Sequence, residues 1–311
     1  MKIGLMLPIG QEELLREPGS WRLFRDMAIA AEEGGLDSVW CADHVLFRSP
    51  DEEGTRGIHE AWTILAAVAA VTGRVEIGPL VLCAPFRNPA LTAKMATTLD
   101  EVSAGRFTLG LGCGWHEPEF DAFGYPFDHR VSRFAEALEI IVPLVRTGSV
   151  TFEGRYHRAV DAEIIPRGPR PAGPPILIAG KQPRMLDLVA RHADQWNAAW
   201  YGHPDEAHEL RARLERLDAA LERTGRDPAT LEKSAGIFVA VSDADDDRPD
   251  TAIRGTTAEV ARALAGYEAL GISHLIVHLW PRSVEAVRRL AEAAHAARAM
   301  PGVVAEKPGL S

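Results

Sequence analysis

Between Phe107 and Phe120 the chain reads FTLGLGCGWHEPEF. An apolar run meets Gly110, Gly112 and Gly114, then Trp115, His116, Glu117 and Glu119. Glycine admits φ > 0 and lets a backbone come close to a flat or charged ligand. Trp115 offers an aromatic plate, His116 an imidazole that titrates near neutrality, and the glutamates two carboxylates. Such groups bind planar ligands and move protons. Earlier, Cys41-Ala42-Asp43-His44 closes another apolar run. A carboxylate beside an imidazole can orient it and share a proton with it. His44, oriented by Asp43, is the first candidate acid/base and His116 the second. The competing readings are a capping Asp43 beside a solvated His44, and a His116 and Glu119 that only tie down their loop.

Further sites follow other apolar runs. Ala179-Gly180-Lys181-Gln182-Pro183 places glycine at a strand–helix junction, where exposed N–H groups can hold a phosphate. Lys181 and Arg184 add charge there. Arg87 either holds an anion or pairs with a neighbouring carboxylate. Cys83 has no base beside it in sequence and reads as an inert pocket-lining thiol. Trp196, Trp200, His278 and Trp280 close later runs and can wall a ligand. Cys41, Cys83, Cys113 and His44 are not in the close pairs a zinc site requires, so no metal is expected. GxGxxG after the first strand, a P-loop and a nucleophile elbow are all missing.

The elements that would carry these groups alternate from end to end. Strands are predicted at Lys2–Leu7, Ser38–Ala42, Glu76–Leu82, Phe107–Leu111, Ile176–Ala179, Gln195–Ala199, Gly236–Ser242 and His274–His278. Helices are predicted near 21–34, 60–72, 89–103, 130–147, 182–192, 204–224, 257–270 and 283–298. Eight strand–helix units imply parallel strands and right-handed crossovers, hence an α/β fold of the (β/α)₈ TIM-barrel type with its site at the C-terminal strand ends. An open doubly wound sheet would use fewer strands. Gly34-Gly35, Gly73, Gly105 and Gly148 are expected to stop the first four helices. Ser149–Pro175 breaks the rhythm and reads as an inserted hairpin about Glu153-Gly154, followed by a proline-rich loop. The expected organisation is one barrel domain over 1–300, a solvated acidic loop at Asp243–Thr256 and a frayed tail over 301–311. The second helix, Trp62 to Val71, is apolar almost all round, which points to a homodimer interface or to cover by a loop of the same chain.

The bulk numbers limit the function classes. The 311 residues carry a net charge of −10 and no Lys/Arg block, which disfavours nucleic acid and anionic membranes as partners. No apolar run is long enough to span a bilayer, and the N-terminus lacks the features of a signal peptide. Three cysteines, Cys41, Cys83 and Cys113, fit reduced thiols in a cytoplasmic protein. A small-molecule substrate is the expected partner.

Over about residues 1–298 the chain resembles the bacterial luciferase-like monooxygenase superfamily, in particular its deazaflavin-dependent (coenzyme F420) oxidoreductases. The resemblance rests on KIGLMLP, AEEGGLDSVWCADH, AAVAAVTGRVEIGPLVL, FRNPALTAKMATTLDEVSAGRFTLGLGCGWHEPEFDAFG, PPILIAGKQPRMLDLVARHADQWN and GYEALGISHLIV. It implies a barrel, commonly dimeric, with a flavin-type ring at its mouth and Asp43 and His44 beside the ring. It implies a non-proline cis peptide at Leu80-Val81 under one ring face, with Cys83 touching the cofactor from the same strand. Gly114 and Trp115 would line the ring, and Gly180, Lys181 and Gln182 would hold the phosphate. One departure stands out: the sugar-phosphate dehydrogenase branch has a glutamate where this chain has Trp115. The expected function is hydride transfer between reduced F420 and an organic substrate, a carbonyl, alcohol or activated alkene. An FMN-dependent monooxygenase using O2 is the alternative, since both cofactors share a tricyclic ring and a ribityl phosphate. A non-catalytic flavin-binding protein is the alternative of another class.

Overall fold

The computed structural model describes residues 1–11, 19–48, 54–241 and 249–300. Parallel pairing runs through β1 (Lys2–Met6), β2 (Ser38–Cys41), β3 (Glu76–Pro79), β4 (Leu82–Cys83), β5 (Leu109–Gly112), β8 (Ile176–Ala179), β9 (Gln195–Tyr201), β10 (Glu232–Ala240) and β11 (His274–Trp280). Their order is β3-β2-β1-β11-β10-β9-β8-β5-β4. The predicted third strand, Glu76–Leu82, is therefore two pieces, and these lie at opposite edges of the sheet. Ile77 bridges to Phe107, with Thr108 N–H donating to Ile77 O at 2.8 Å, and this contact brings the edges together. The result is a parallel sheet nearly closed into the expected (β/α)₈ barrel.

The break in the third strand has a steric counterpart on β5. A Cβ on Gly110 would stand 2.1 Å from Pro79 O, and one on Gly112 would stand 2.8 Å from a Val81 methyl. Only glycine lets the two backbones pack at this distance. The Leu80-Val81 peptide between β3 and β4 is cis, as is Ala199-Trp200.

Nine helices are described: α1 (Trp21–Glu33), α2 (Ala61–Val71), α3 (Pro89–Val102), α4 (Glu117–Phe123), α5 (Arg130–Arg146), α6 (Pro183–His192), α7 (His208–Thr224), α8 (Thr257–Gly266) and α9 (Val284–Ala299). Local chemistry sets most ends. Ser20, Glu60, Asn88, Thr256 and Ser283 accept from first-turn N–H groups of α1, α2, α3, α8 and α9. Gly35, Gly105 and Gly148 take φ near +80 to +90° at the stops predicted for them. Gly73 does not. Instead Arg106 donates to the carbonyls of Ala69 and Thr72 at the end of α2, while Glu32 accepts from Gly73 N–H.

Other departures are small. β10 starts at Glu232 rather than Gly236 and ends at Ala240; Ser242 lies outside the described residues. The 204–224 and 257–270 helices each include a separate 3₁₀ turn. The insertion forms the predicted hairpin, β6 (Ser149–Glu153) with β7 (Arg158–Glu163), and Glu136 of α5 accepts from the N–H groups of Arg155, Tyr156 and His157 at its turn. Residues 243–248 of the acidic loop and all of the tail lie outside the described residues, and Ile253 bridges Val239. The α2 helix is not buried all round: Ala61, Trp62, Leu65, Val68 and Ala69 face the core, and Thr63, Ala70 and Val71 face out. Among the described residues no helix is long and apolar enough to cross a membrane.

Inside the barrel, Met6, Trp40, Leu177 and Ile276 form a buried layer, with Ala42, Leu80, Val81 and Trp200 packed on it and partly exposed. Below it Trp40 Nε1 donates to Ser38 Oγ at 2.7 Å, and Ser38 Oγ lies 2.7 Å from His274 Nε2. This buried polar group sits beneath the barrel's apolar floor.

Candidate active site

The site assembles at the C-terminal strand ends. His44 follows β2, and its Nδ1 lies 2.9 Å from Glu119 Oε1. The other carboxylate oxygen of Glu119 accepts from Val45 N–H at 3.0 Å. Glu119 is only 1% exposed. An ionised carboxylate accepts only, so Nδ1 carries the hydrogen and Nε2 is left to exchange a proton. Phe47, Trp115 and His116 surround the ring at centroid distances of 4.3, 5.6 and 6.5 Å.

The sequence reading gave Asp43 the role that the geometry gives Glu119. Asp43 turns away from His44. Its oxygens take a bidentate pair from Arg87, at 2.7 and 2.9 Å, and the Cys83 N–H at 2.9 Å. Arg87 also bonds Glu60 at the start of α2. Of the two readings of Arg87, pairing with carboxylates is the one observed. This network ties the ends of β2 and β4 to α2, and its charges hold the Arg87 guanidinium firmly protonated despite burial.

Glu119 sits on α4, a helix absent from the sequence reading. Its signals are short but legible: Pro118 in the first turn, Glu117 and Glu119 beside the helix start, and Gly124 at φ 74° after its end. His116 immediately precedes α4 without a side-chain bond to its first turn, and its Nε2 accepts from Arg48 N–H at 3.1 Å. Burial pushes its pKa below the usual histidine value, against the pull of Glu119.

The remaining predicted residues divide clearly. Gly114 has φ 75°, and a Cβ there would stand 2.6 Å from Cys83 Sγ and 2.5 Å from the Phe120 ring. Cys83 is buried, and burial followed by the Asp43 and Glu119 charges drives its thiol pKa up, so it is no nucleophile. Trp115 is 65% exposed at the rim. Gly180 accepts from Trp196 Nε1 at 2.9 Å, and Lys181 and Gln182 are exposed ahead of α6, whose start has no side-chain cap. Trp200, Phe238, His278 and Trp280 stack into one wall, with ring separations of 4.4–5.9 Å. Burial in that wall drops the His278 pKa to about 4. Among the described residues no cluster could hold a metal ion.

An apolar platform, a polar rim and an uncapped helix start thus share one end of a barrel. The chain is 31% identical over 260 residues to a pyrimidine monooxygenase RutA of Methylorubrum extorquens, covering 79% of this chain and 69% of that protein. It is 36% identical over 195 residues to an F420-dependent glucose-6-phosphate dehydrogenase of Amycolatopsis mediterranei, covering 61% and 56%. The chain thus spans about two thirds of the one and just over half of the other. An F420-dependent secondary alcohol dehydrogenase, solved with an F420-acetone adduct, superposes with a TM-score of 0.78 at 21% identity, over 96% of this chain and 99% of that one. The luciferase-like monooxygenase family model matches residues 1–302. The chain belongs to the luciferase-like monooxygenase family.

Proposed function

We propose that the chain catalyses hydride transfer between reduced coenzyme F420 and an organic substrate bearing a carbonyl, an alcohol or an activated alkene. The observation that carries this reading is the His44–Glu119 pair beside the Leu80-Val81 platform. The residues present fit a tricyclic ring with a ribityl phosphate. Ala42, Leu80, Val81 and Trp200 supply a partly exposed apolar floor of the kind a flat ring covers. Leu80, Val81, Cys83, Gly114 and Trp115 would line the ring, and the uncapped start of α6 at Gly180, Lys181 and Gln182 would take the phosphate.

When bound, the deazaflavin supplies the hydride at carbon 5 of its ring. His44 gives a proton from Nε2 to the substrate oxygen as a carbonyl becomes an alcohol, and takes it back in the reverse direction. Glu119 holds that ring in one tautomer and stabilises the imidazolium. Asp43 acts through the backbone, since its carboxylate fixes Cys83 N–H and Arg87. Trp115 and the wall of Trp200, Phe238, His278 and Trp280 exclude water and favour an apolar or aromatic substrate. His116 stands as a second proton carrier. The outward Ala70 and Val71 of α2 support a homodimer.

The RutA relatives support a second reading, an FMN-dependent monooxygenase on the same floor. A fluorescence titration with oxidised F420 and with FMN in parallel separates the two. Tight binding of F420 alone is the expected result. Tight binding of FMN alone moves the reaction to O2 chemistry, and binding of neither overturns the cofactor assignment.

A further inference from the structure

β9 and β10 pair in step from Gln195 and Glu232 to Ala198 and Ala235, then resume at Tyr201 and Ile237. Between these points Ala199 and Trp200 stand opposite the single residue Gly236. Two residues against one make a bulge, a device that re-aims a side chain at a strand end. A Cβ on Gly236 would lie 2.6 Å from the Trp200 ring and 2.7 Å from Ala199 Cβ, so only glycine leaves room for the turned indole. That indole packs on the same buried layer as Leu80 and Val81, and it stacks on Phe238 at 5.5 Å and 19°. Among the described residues no hydrogen bond holds the indole itself. Its direction is set by packing and by its backbone.

That backbone is gripped by one side chain from a helix outside the barrel. Arg213 lies within α7 yet is only 5% exposed. Its Nη1 donates to Ala199 O at 3.2 Å and to the Tyr201 hydroxyl at 2.7 Å. These are the residues on either side of Trp200. Its Nη2 donates to Glu209, one turn earlier on α7 and exposed. The guanidinium thus brings its counter-ion from its own helix and directs its buried donor at β9. Its Nε is buried without a partner, a cost that a pair on the helix surface would not carry.

We infer that Arg213 is a positioning residue of the candidate active site. By holding Ala199 and Tyr201 it fixes the angle at which Trp200 meets a ring lying on the apolar floor. This role rests on the reading that a flat cofactor covers that floor. Arg213 acts through Trp200. A planar guanidinium keeps its donors in one plane, which a lysine ammonium does not.

The test titrates oxidised F420 and FMN, by fluorescence, against the full chain, Arg213→Gln, Trp200→Ala and the double variant. It also records the induced circular dichroism of whichever ring binds. Arg213→Gln is expected to weaken ring affinity about two- to tenfold, the size of one aromatic contact, and to alter the dichroism. In the Trp200→Ala background the same substitution should change neither. Arg213→Lys, which keeps the charge without the planar fork, should fall between the parent and Arg213→Gln. It carries the comparison alone if Arg213→Gln does not fold. A lower melting point with affinity and dichroism unaltered, or equal losses in both backgrounds, overturns the positioning role and leaves the cofactor reading intact. Failure of the unaltered chain to bind either ring overturns both.

Discussion

Removing the Asp43 carboxylate tests the structural role assigned to it. Asp43→Ala deletes two charge-assisted bonds from Arg87 and leaves Cys83 N–H without its acceptor. Both charged partners are nearly out of water, at 1% and 14% side-chain exposure. Breaking a buried pair from one side costs about 3–5 kcal/mol, because the surviving charge stays desolvated. Arg87 keeps Glu60, which holds the cost within that range rather than above it. Unfolding entropy near 2.1 cal/mol/K per residue gives about 0.65 kcal/mol/K for this chain, so the melting point should fall by about 5–8 °C. The assay is thermal unfolding of the single variants and of Asp43→Ala/Arg87→Ala. The double variant should cost about 2–3 kcal/mol less than the sum of the singles, as directly bonded partners do. A loss under about 1 kcal/mol for Asp43→Ala, or strict additivity, would refute the buried clamp.

Glu119→Gln should lower turnover by about 10²–10⁴-fold and move the pH–rate profile while keeping ring affinity, since it disturbs the His44 tautomer; a profile unchanged in shape and height counts against the His44–Glu119 pair. Gly110→Ala should cost at least about 3 kcal/mol or abolish folding, because the new methyl meets the Pro79 carbonyl, a backbone atom; a variant as stable as the parent contradicts the close approach of β3 and β5. His278, depressed to about 4 against about 6.5 when unfolded, takes up its proton more readily in the unfolded chain between those values. Stability should therefore fall as the pH drops from 6.5 to 4, by about 2–3 kcal/mol from this residue, and denaturant melts of His278→Gln should lack that part of the decline. Glu136→Ala should speed hydrogen exchange at Arg155, Tyr156 and His157 without loosening the barrel; exchange that stays slow there would mean the hairpin holds itself.

The alternation of strands and helices was legible in the sequence because each strand–helix unit is a local pattern of apolar spacing and caps. The split third strand was not, since its cause lies in Gly110 and Gly112 of a different strand, which only the closed ring brings against Pro79 and Val81. Much the same holds at the site. Gly114, Cys83 and the start of α6 could be placed from strand ends alone. The partner of His44 could not, because proximity in sequence favours Asp43, whereas the backbone turns the two side chains toward different elements. α4 carried its own signals in Pro118, its two glutamates and Gly124, but at seven residues it is too short for apolar periodicity to reveal. Arg87 was placed between two readings that only the positions of Asp43 and Glu60 distinguish.

Because Asp43 and His44 are adjacent yet join separate networks, the buried clamp and the proposed acid/base pair divide at a single peptide bond. Asp43 answers to Arg87 and Glu60, and His44 to Glu119. A lineage can therefore exchange the pair at 44 and 119 to try new reactions while the clamp at 43, 87 and 60 keeps the barrel mouth in shape. Change within the clamp must instead be concerted, since any one of its members altered alone strands the others. The same division guides redesign: libraries belong at 44, 115, 116 and 119, and the clamp is best left untouched.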